Sequence, residues 1–345
     1  MGLQLAKSKS AKEAYALVNE LQAYLVAKLD ALPPAVAASR FRPIEWLRAK
    51  GSFGGGTRLT ATDELIFNRA SVNVSQVQYE SDPSKTLGSA TAISTIVHPR
   101  NPLAPSMHMH ISWTELKSGK GYWRIMGDLN PSIPSASDKQ AFESAFLGAV
   151  GADLYAYGSE QGARYFYIPA LGRHRGVAHF YLEEFQSGDA PSDLKLAKRF
   201  GLKVIDTYGS IVDRILRANS EVTASDVLQQ LEYHSIYFLQ VLTLDRGTTS
   251  GLLVHDENDV GILGSLPSHV DKALLTSYVQ RLPPVQQELL QGLIDVLPGG
   301  ASSLVDDEVK AKLARATRLF YQKHPEAQEL LARADRLPPT QQNHL

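Results

Sequence analysis

The sequence predicts an α+β fold built on an antiparallel sheet, and two observations carry that prediction. Strand-like and helix-like stretches fall in separate blocks rather than alternating as βαβ units. Within the strand-like blocks, apolar and polar residues alternate with period two, the pattern of a sheet whose two faces see different surroundings. The 345 residues allow about two domains of roughly 150 residues, or one large domain with additions.

Along the chain, Ser10 followed by Glu13 has capping-box spacing, and Ala14, Leu17, Val18, Leu21, Leu25, Leu29 and Leu32 recur at helical intervals until Pro33-Pro34. One amphipathic helix is expected there. Residues 72–77 and 92–97 alternate as strands, and 108–113 with 121–126 form a hairpin across a Lys-Ser-Gly-Lys-Gly turn. Helices are expected over about 139–154 and 192–218, with strands at 163–168 and 177–185 between them. The apolar run 237–244 reads as a strand, followed by a polar turn, 245–251, into another strand at 252–254. After Pro267 the pattern is helical to the end, with breaks at Pro283-Pro284, Pro298-Gly299-Gly300 and Pro338-Pro339.

Composition narrows the function classes. Thirty-five Lys+Arg against 36 Asp+Glu leave a formal charge of −1, without the field or basic run that duplex nucleic acid or an anionic membrane requires. There is no cysteine, which removes disulfides, thiolate zinc, iron–sulfur clusters and a thiol nucleophile. The N-terminal stretch lacks the apolar core of a signal peptide, Ala6 stands where a myristoylation motif wants Ser or Thr, and no apolar run approaches a membrane span. The expected location is the cytoplasm.

Three groups of residues can carry chemistry. On a strand, His108 and His110 project from one face, so with His98 they make a candidate metal site for zinc, iron or manganese; the alternative is one buried, hydrogen-bonded imidazole and one surface imidazole. Gly54-Gly55-Gly56-Thr57-Arg58 lacks the spacing of a phosphate loop and reads as a flexible loop or a backbone-close turn that brings Arg58 over an anion. Arg173, Arg175 and Arg246, with Asp128 and Asp245 at expected strand ends, suit a pocket for a polycarboxylate ligand, since arginine grips carboxylates bidentately. Asp before Gly or near Pro also serves simply as a turn former.

The segment His98-Pro99-Arg100-Asn101-Pro102-Leu103-Ala104-Pro105-Ser106-Met107-His108 resembles the HPxNPxxPxxH signature of the oxygen-dependent coproporphyrinogen III oxidase family. Further resemblances follow in the family's order. They are Gly54-Gly55-Gly56-Thr57-Arg58 with Val72-Asn73-Val74-Ser75, Asp128-Leu129-Asn130-Pro131, Tyr165-Phe166-Tyr167 with Arg175-Gly176, Asp245-Arg246-Gly247-Thr248 and Ser265-Leu266-Pro267. Together they span about residues 41–270.

The resemblance implies a large, flat antiparallel sheet covered by helices on both faces, a homodimer, and cofactor-free oxidative decarboxylation of porphyrinogen propionates, with O2 as co-substrate. It assigns Arg175 to carboxylate binding, Asp128 to holding or deprotonating a pyrrole N–H, His108 to proton donation and Ser94 to a substrate contact. Arg58 and Asn73 join the substrate-binding set, and Asp245 is a supporting residue of the same site. It also implies a domain over 1–270 and a helical C-terminal extension over 271–345. The chain departs from the family pattern in several places. His110-Ile111-Ser112 replaces Asn-x-Arg, Trp123-Arg124-Ile125-Met126-Gly127 replaces Trp-Phe-Gly-Gly-Gly, His255-Asp256-Glu257-Asn258 replaces a Gly-Gly-Arg hairpin, and two family histidines are absent near Phe142 and at Ala170. Each lost charge-assisted bond is worth about 1.5–3 kcal/mol. Two other readings therefore stand beside catalysis: a non-catalytic tetrapyrrole-binding protein, and an oxygenase using a divalent metal on His98, His108 and His110.

Overall fold

Seven strands pair in sequence, each antiparallel to the next, in the computed structural model, which describes residues 3–61, 65–337, 339 and 343. The chain starts with α1 (Lys9–Asp30) and then lays down β1 (Phe41–Leu47), β2 (Gly54–Ala61), β3 (Phe67–Gln78), β4 (Leu87–Pro99), β5 (Ser106–Leu116) and β6 (Gly121–Asn130) as a meander. After α2 (Ala136–Val150), α3 (Ala152–Tyr165) and the short pair β7 (Tyr167–Ile168) and β8 (Arg173–His174), β9 (Ala178–Phe185) returns beside β6 as the last strand. The remaining elements are mostly helical: α4 (Ala190–Ala218), α5 (Ala224–Thr243), α6 (Arg246–Val254), α7 (Asp259–Ile262), β10 (His269–Val270), α8 (Lys272–Tyr278), α9 (Pro284–Val296), β11 (Ser303–Leu304) and α10 (Asp307–Lys323).

The alternation read from the sequence sorts the two faces. Val72, Val74, Ile93, Met109, Ile111 and Ile125 point to one face and form a core with α1, α2 and α4. The helices close tightly there: a Cβ on Gly201 of α4 would lie 2.7 Å from Leu21 of α1. The opposite face presents Asn73, Ser94, His110 and their neighbours, and is roofed by α5, α6 and the chain up to Ser265. A second core behind this roof joins α5 and α6 to α8, α9 and α10. Among the described residues no helix is long and apolar enough to cross a membrane.

Several elements differ from the sequence expectation. Residues 237–243 belong to α5, with Leu244 as its C-cap, rather than to a strand, because every residue from Tyr233 to Thr243 is buried and an apolar run without a polar stripe carries no periodicity to tell helix from strand. Residues 252–254 end α6, and 163–165 end α3, leaving only a two-residue strand at Tyr167–Ile168. The helix expected over 139–154 is two helices, broken at Gly151 with φ +86°. The cap of α1 is Ser8, which accepts from Ala11 N at 3.1 Å, so Ser10 and Glu13 lie inside the helix. Gly54–Gly56 form strand β2 rather than a loop. Gly54 has φ +93°, and a Cβ there would sit 2.1 Å from Gln76 O, so only glycine permits this approach. The breaks at 283–284 and 298–300 fall at helix ends, whereas Pro338 lies outside the described residues.

Leu21 is fully buried at the α1–α4 contact, so Leu21→Ala leaves a cavity. A loss of about 2–5 kcal/mol of unfolding free energy is expected in a denaturant titration.

Candidate active site

The register of the sheet lines up residues that are far apart in sequence. Arg58 pairs with Asn73, Asn73 with Ser94, Ser94 with His110, His110 with Met126 and Met126 with Tyr181, one row across six strands. The adjacent row on the same face runs Ser71, Ile96, His108, Asp128 and His179. Between these rows and the roof lies a cavity of about 310 Å³, lined by Asn73, Ser94, His108, His110, Arg175 and Asp245 among others.

The charge centre of the cavity wall is Asp128, which is wholly buried and does not itself line the cavity. Its carboxylate accepts from His108 Nδ1 at 2.6 Å, from Arg175 Nη2 at 2.8 Å and from the Asn130 side-chain amide. Because a carboxylate only accepts here, the His108 Nδ1 carries a hydrogen, and Nε2 is left for other chemistry. Burial alone raises a carboxyl pKa, but Arg175 and His108 outweigh it and hold Asp128 well below the usual range. Burial likewise lowers a guanidinium, and Asp128 more than restores Arg175.

Arg175 reaches this position through local backbone geometry. Its amide donates to Phe166 O at 2.8 Å, its Nη1 donates to Gln240 Oε1 at 2.6 Å, and its guanidinium lies between the Phe166 and Tyr237 rings, 4.5 and 4.9 Å from their centroids. Gly176 turns the chain with φ +77°, and a Cβ there would lie 2.5 Å from Asn130 Oδ1. The Arg-Gly pair is thus a geometric unit. Burial pushes the Tyr237 hydroxyl up to about 12, keeping it protonated beside Arg175.

A second buried ion pair stands further along β6. Arg124 donates to Glu183 through Nε and Nη2 at 2.5 and 2.9 Å, and the Tyr181 hydroxyl donates to the same carboxylate. Arg124 and Tyr181 line the cavity. Arg124 is the cross-strand partner of Ser112, the position where the family resemblance led to an arginine. Burial and then the nearby Arg124 hold the His110 imidazole well below its ordinary value, so this ring is neutral. Arg124 and Glu183 escaped the sequence reading. The available signal was an arginine at an inward position of an alternating strand.

Other predicted residues are placed differently. His98 is buried, its Nε2–H donating to Ser265 O at 3.0 Å and its Nδ1 accepting from Ser106 Oγ at 2.8 Å. Both nitrogens are engaged, so His98 supplies no metal ligand in this arrangement. Among the described residues no group of three or more His, Asp or Glu is placed to hold a metal. Arg58 is buried behind the cavity, packed against Gly261 and Gly264. Asp245 ends no strand; it caps α6 by accepting from Thr248 N at 2.6 Å and accepts from the Tyr165 hydroxyl at 3.1 Å. Arg246 turns away from the cavity to carbonyls of Gln328, Leu331 and Ala332, and Arg173 is an exposed partner of Glu232.

Residues 13–280 match the model of the family described as coproporphyrinogen III oxidase. The oxygen-dependent coproporphyrinogen-III oxidase of Rickettsia akari (strain Hartford) is 31% identical over 263 residues, covering 71% of this chain and 88% of that protein. The mitochondrial enzymes of that name from Rattus norvegicus and Homo sapiens are 27% and 26% identical, covering 69% and 73% of this chain. The matched region spans 58% of the rat protein's length and 59% of the human one's.

Because Asp128 is held below the ordinary carboxylate value, its stabilising contribution is present above about pH 4 and is lost as pH falls through its native value. Asp128→Asn should remove about 3–5 kcal/mol at pH 7 by leaving Arg175 buried without its counter-charge. The difference from the parent protein should shrink below about pH 4. Denaturant titrations at pH 7, 5 and 3 check both statements, and a difference independent of pH contradicts the assignment.

Proposed function

This chain belongs to the coproporphyrinogen III oxidase family, and we propose that it performs the reaction after which the relatives are named: O2-dependent oxidation of coproporphyrinogen III, a haem-pathway step. In that reaction a propionate becomes a vinyl group, R–CH2–CH2–COO⁻ + O2 + H⁺ → R–CH=CH2 + CO2 + H2O2. The propionate is oxidised by two electrons and O2 is reduced to peroxide. One C–C bond and one C–H bond break, and one proton is taken up.

The observation that carries the reading is the Asp128–Arg175–His108 cluster, which is buried at Asp128 and opens on the cavity through His108 and Arg175. Arg175 supplies the positive charge for a substrate carboxylate, with Asp128 and Gln240 holding its orientation. His108 presents Nε2 to the ligand, because Asp128 fixes the hydrogen on Nδ1. In this scheme Nε2 takes the pyrrole N–H proton, raising the ring's electron density toward O2, and returns a proton to the reduced oxygen. Asp128 acts through His108 and stabilises the imidazolium formed in between, as the carboxylate of a catalytic triad does. Ser94 and Asn73 lie on the next row and offer a hydroxyl and an amide to the macrocycle. O2 is the co-substrate, and no metal or organic cofactor is assigned a step.

The deciding measurement is incubation of the purified chain with coproporphyrinogen III in air, followed by chromatography for tri- and dicarboxylate products. Turnover is expected, with His108→Ala lowering kcat by about 10²- to 10⁴-fold. Turnover that survives Asp128→Ala and Arg175→Ala together would refute the residue roles. Tight porphyrin binding without turnover would instead identify a non-catalytic tetrapyrrole-binding protein.

A further inference from the structure

We propose that Asn343, which lies outside the family-matched residues 13–280, is a ligand-binding residue whose amide receives a carboxylate at the end of the cavity remote from Arg175. The inference rests on the reading above that the ligand is a polycarboxylated macrocycle, and it assigns the far end of that ligand.

The chain that follows α10 is tied to the cavity wall before it reaches Asn343. Arg246 gathers the carbonyls of Gln328, Leu331 and Ala332, and Ala332 N donates to Leu244 O. The Asp335 amide then donates to Gln161 Oε1 of α3 at 2.8 Å, and the Tyr157 hydroxyl donates to the Asp335 carboxylate at 2.7 Å. Between these anchors Ala334 is buried against Met126, Tyr165, Phe166 and Tyr181. Three of these four, Met126, Tyr165 and Tyr181, line the cavity. This stretch therefore backs the wall formed by β6 and β9.

Asn343 meets the same strand nearer its start. Its side-chain amide donates to the Tyr122 hydroxyl at 2.9 Å, and its backbone N–H donates to Pro339 O at 2.8 Å. Tyr122 stands opposite Thr114 on β5, and both residues line the cavity with Asn343. Burial raises the Tyr122 hydroxyl above its ordinary value, which keeps its hydrogen in place. Asn343 is only 9% exposed, yet one of its two amide hydrogens has no partner among the described residues. A buried donor left unused costs free energy. A ligand carboxylate in the cavity is the acceptor that satisfies it.

Spacing supplies the rest of the ligand chemistry. Tyr122 and Asp128, the anchor of Arg175, are six residues apart on β6, about 20 Å along the strand at 3.4 Å per residue. A small mono-acid cannot engage both ends, whereas carboxylates on opposite sides of a tetrapyrrole can. The two ends also differ in kind. Arg175 offers a charge beside His108, where the reacting propionate belongs, whereas Asn343 and Tyr122 offer uncharged donors that orient the macrocycle.

The test uses the full chain and coproporphyrin III, the oxidised and unreactive form of the macrocycle, with its tetramethyl ester as the uncharged control. Fluorescence titration gives the Kd, and thermal unfolding is recorded for every variant. Asn343→Ala should weaken coproporphyrin binding by about 10- to 100-fold and leave the ester unchanged. Asn343→Asp keeps the shape and still accepts from the Tyr122 hydroxyl, but sets one carboxylate against another, and should weaken coproporphyrin further without affecting the ester. Tyr122→Phe removes the partner that orients the amide and should weaken coproporphyrin several-fold, which provides a second route if an Asn343 variant does not fold. Lower unfolding temperatures with Kd unchanged would overturn the proposal in favour of a purely structural bond between Asn343 and Tyr122. Equal weakening of acid and ester would also overturn it, because the wall would then shape the cavity without contacting a carboxylate. Failure of the parent protein itself to bind coproporphyrin would overturn the functional reading on which the proposal stands.

Discussion

The burial of Arg175 against Asp128 is the constraint around which this molecule is arranged. Two opposite charges, 2% and 0% exposed, are tolerable only where most hydrogen-bonding directions are met, and the surrounding elements meet several of them, while Arg175 Nε, Asn130 Oδ1 and Gln240 Nε2 keep no partner among the described residues. β5 contributes His108, the end of β6 contributes Asn130, α5 contributes Gln240, and Phe166 and Tyr237 supply ring faces for the guanidinium. Gly176 lets the chain pass Asn130 closely enough for this to happen. The pair therefore ties the sheet to the roof of the cavity.

The roof is held by a second set of long-range bonds. His98 at the end of β4 joins Ser265 through its ring, and Arg69 on β3 donates to Leu266 O and Val305 O. Ala332 N donates to Leu244 O while Arg246 gathers the carbonyls of the same C-terminal stretch. These contacts make α8–α10 part of the wall behind the cavity, through the core they share with α5 and α6. A histidine and an arginine that resemble ligand-binding groups in the sequence are in this way construction elements.

Two arginines line the cavity, each paired with a buried acid. Asp128 couples Arg175 to a proton-carrying imidazole, whereas Glu183 couples Arg124 to a phenol. The wall thus combines positive anchors with low net charge, which agrees with the formal charge of −1 for the whole chain. A polyanionic ligand of the kind proposed would be held by placement rather than by a general positive field.

Much of the fold was legible in the residues. Alternation identified β3, β4, β5, β6 and β9 because each strand has one face in an apolar core and the other on a polar cavity. Motif order singled out His108, Asp128 and Arg175, and spacing placed His108 and His110 on one face, where they are. The identity of α5 was not legible, since a helix buried on every side shows no stripe. Nor was the engagement of His98 and Arg246, or the partnership of Arg124 with Glu183. These depend on register, on a bulge and on which helix end arrives opposite a side chain. A sequence determines which residues can form a two-faced sheet and which charges are present. Only the tertiary structure decides which charges meet, because a one-residue change of register reverses the faces and a bulge sets Glu183 against Arg124 while Glu184 turns to Lys120.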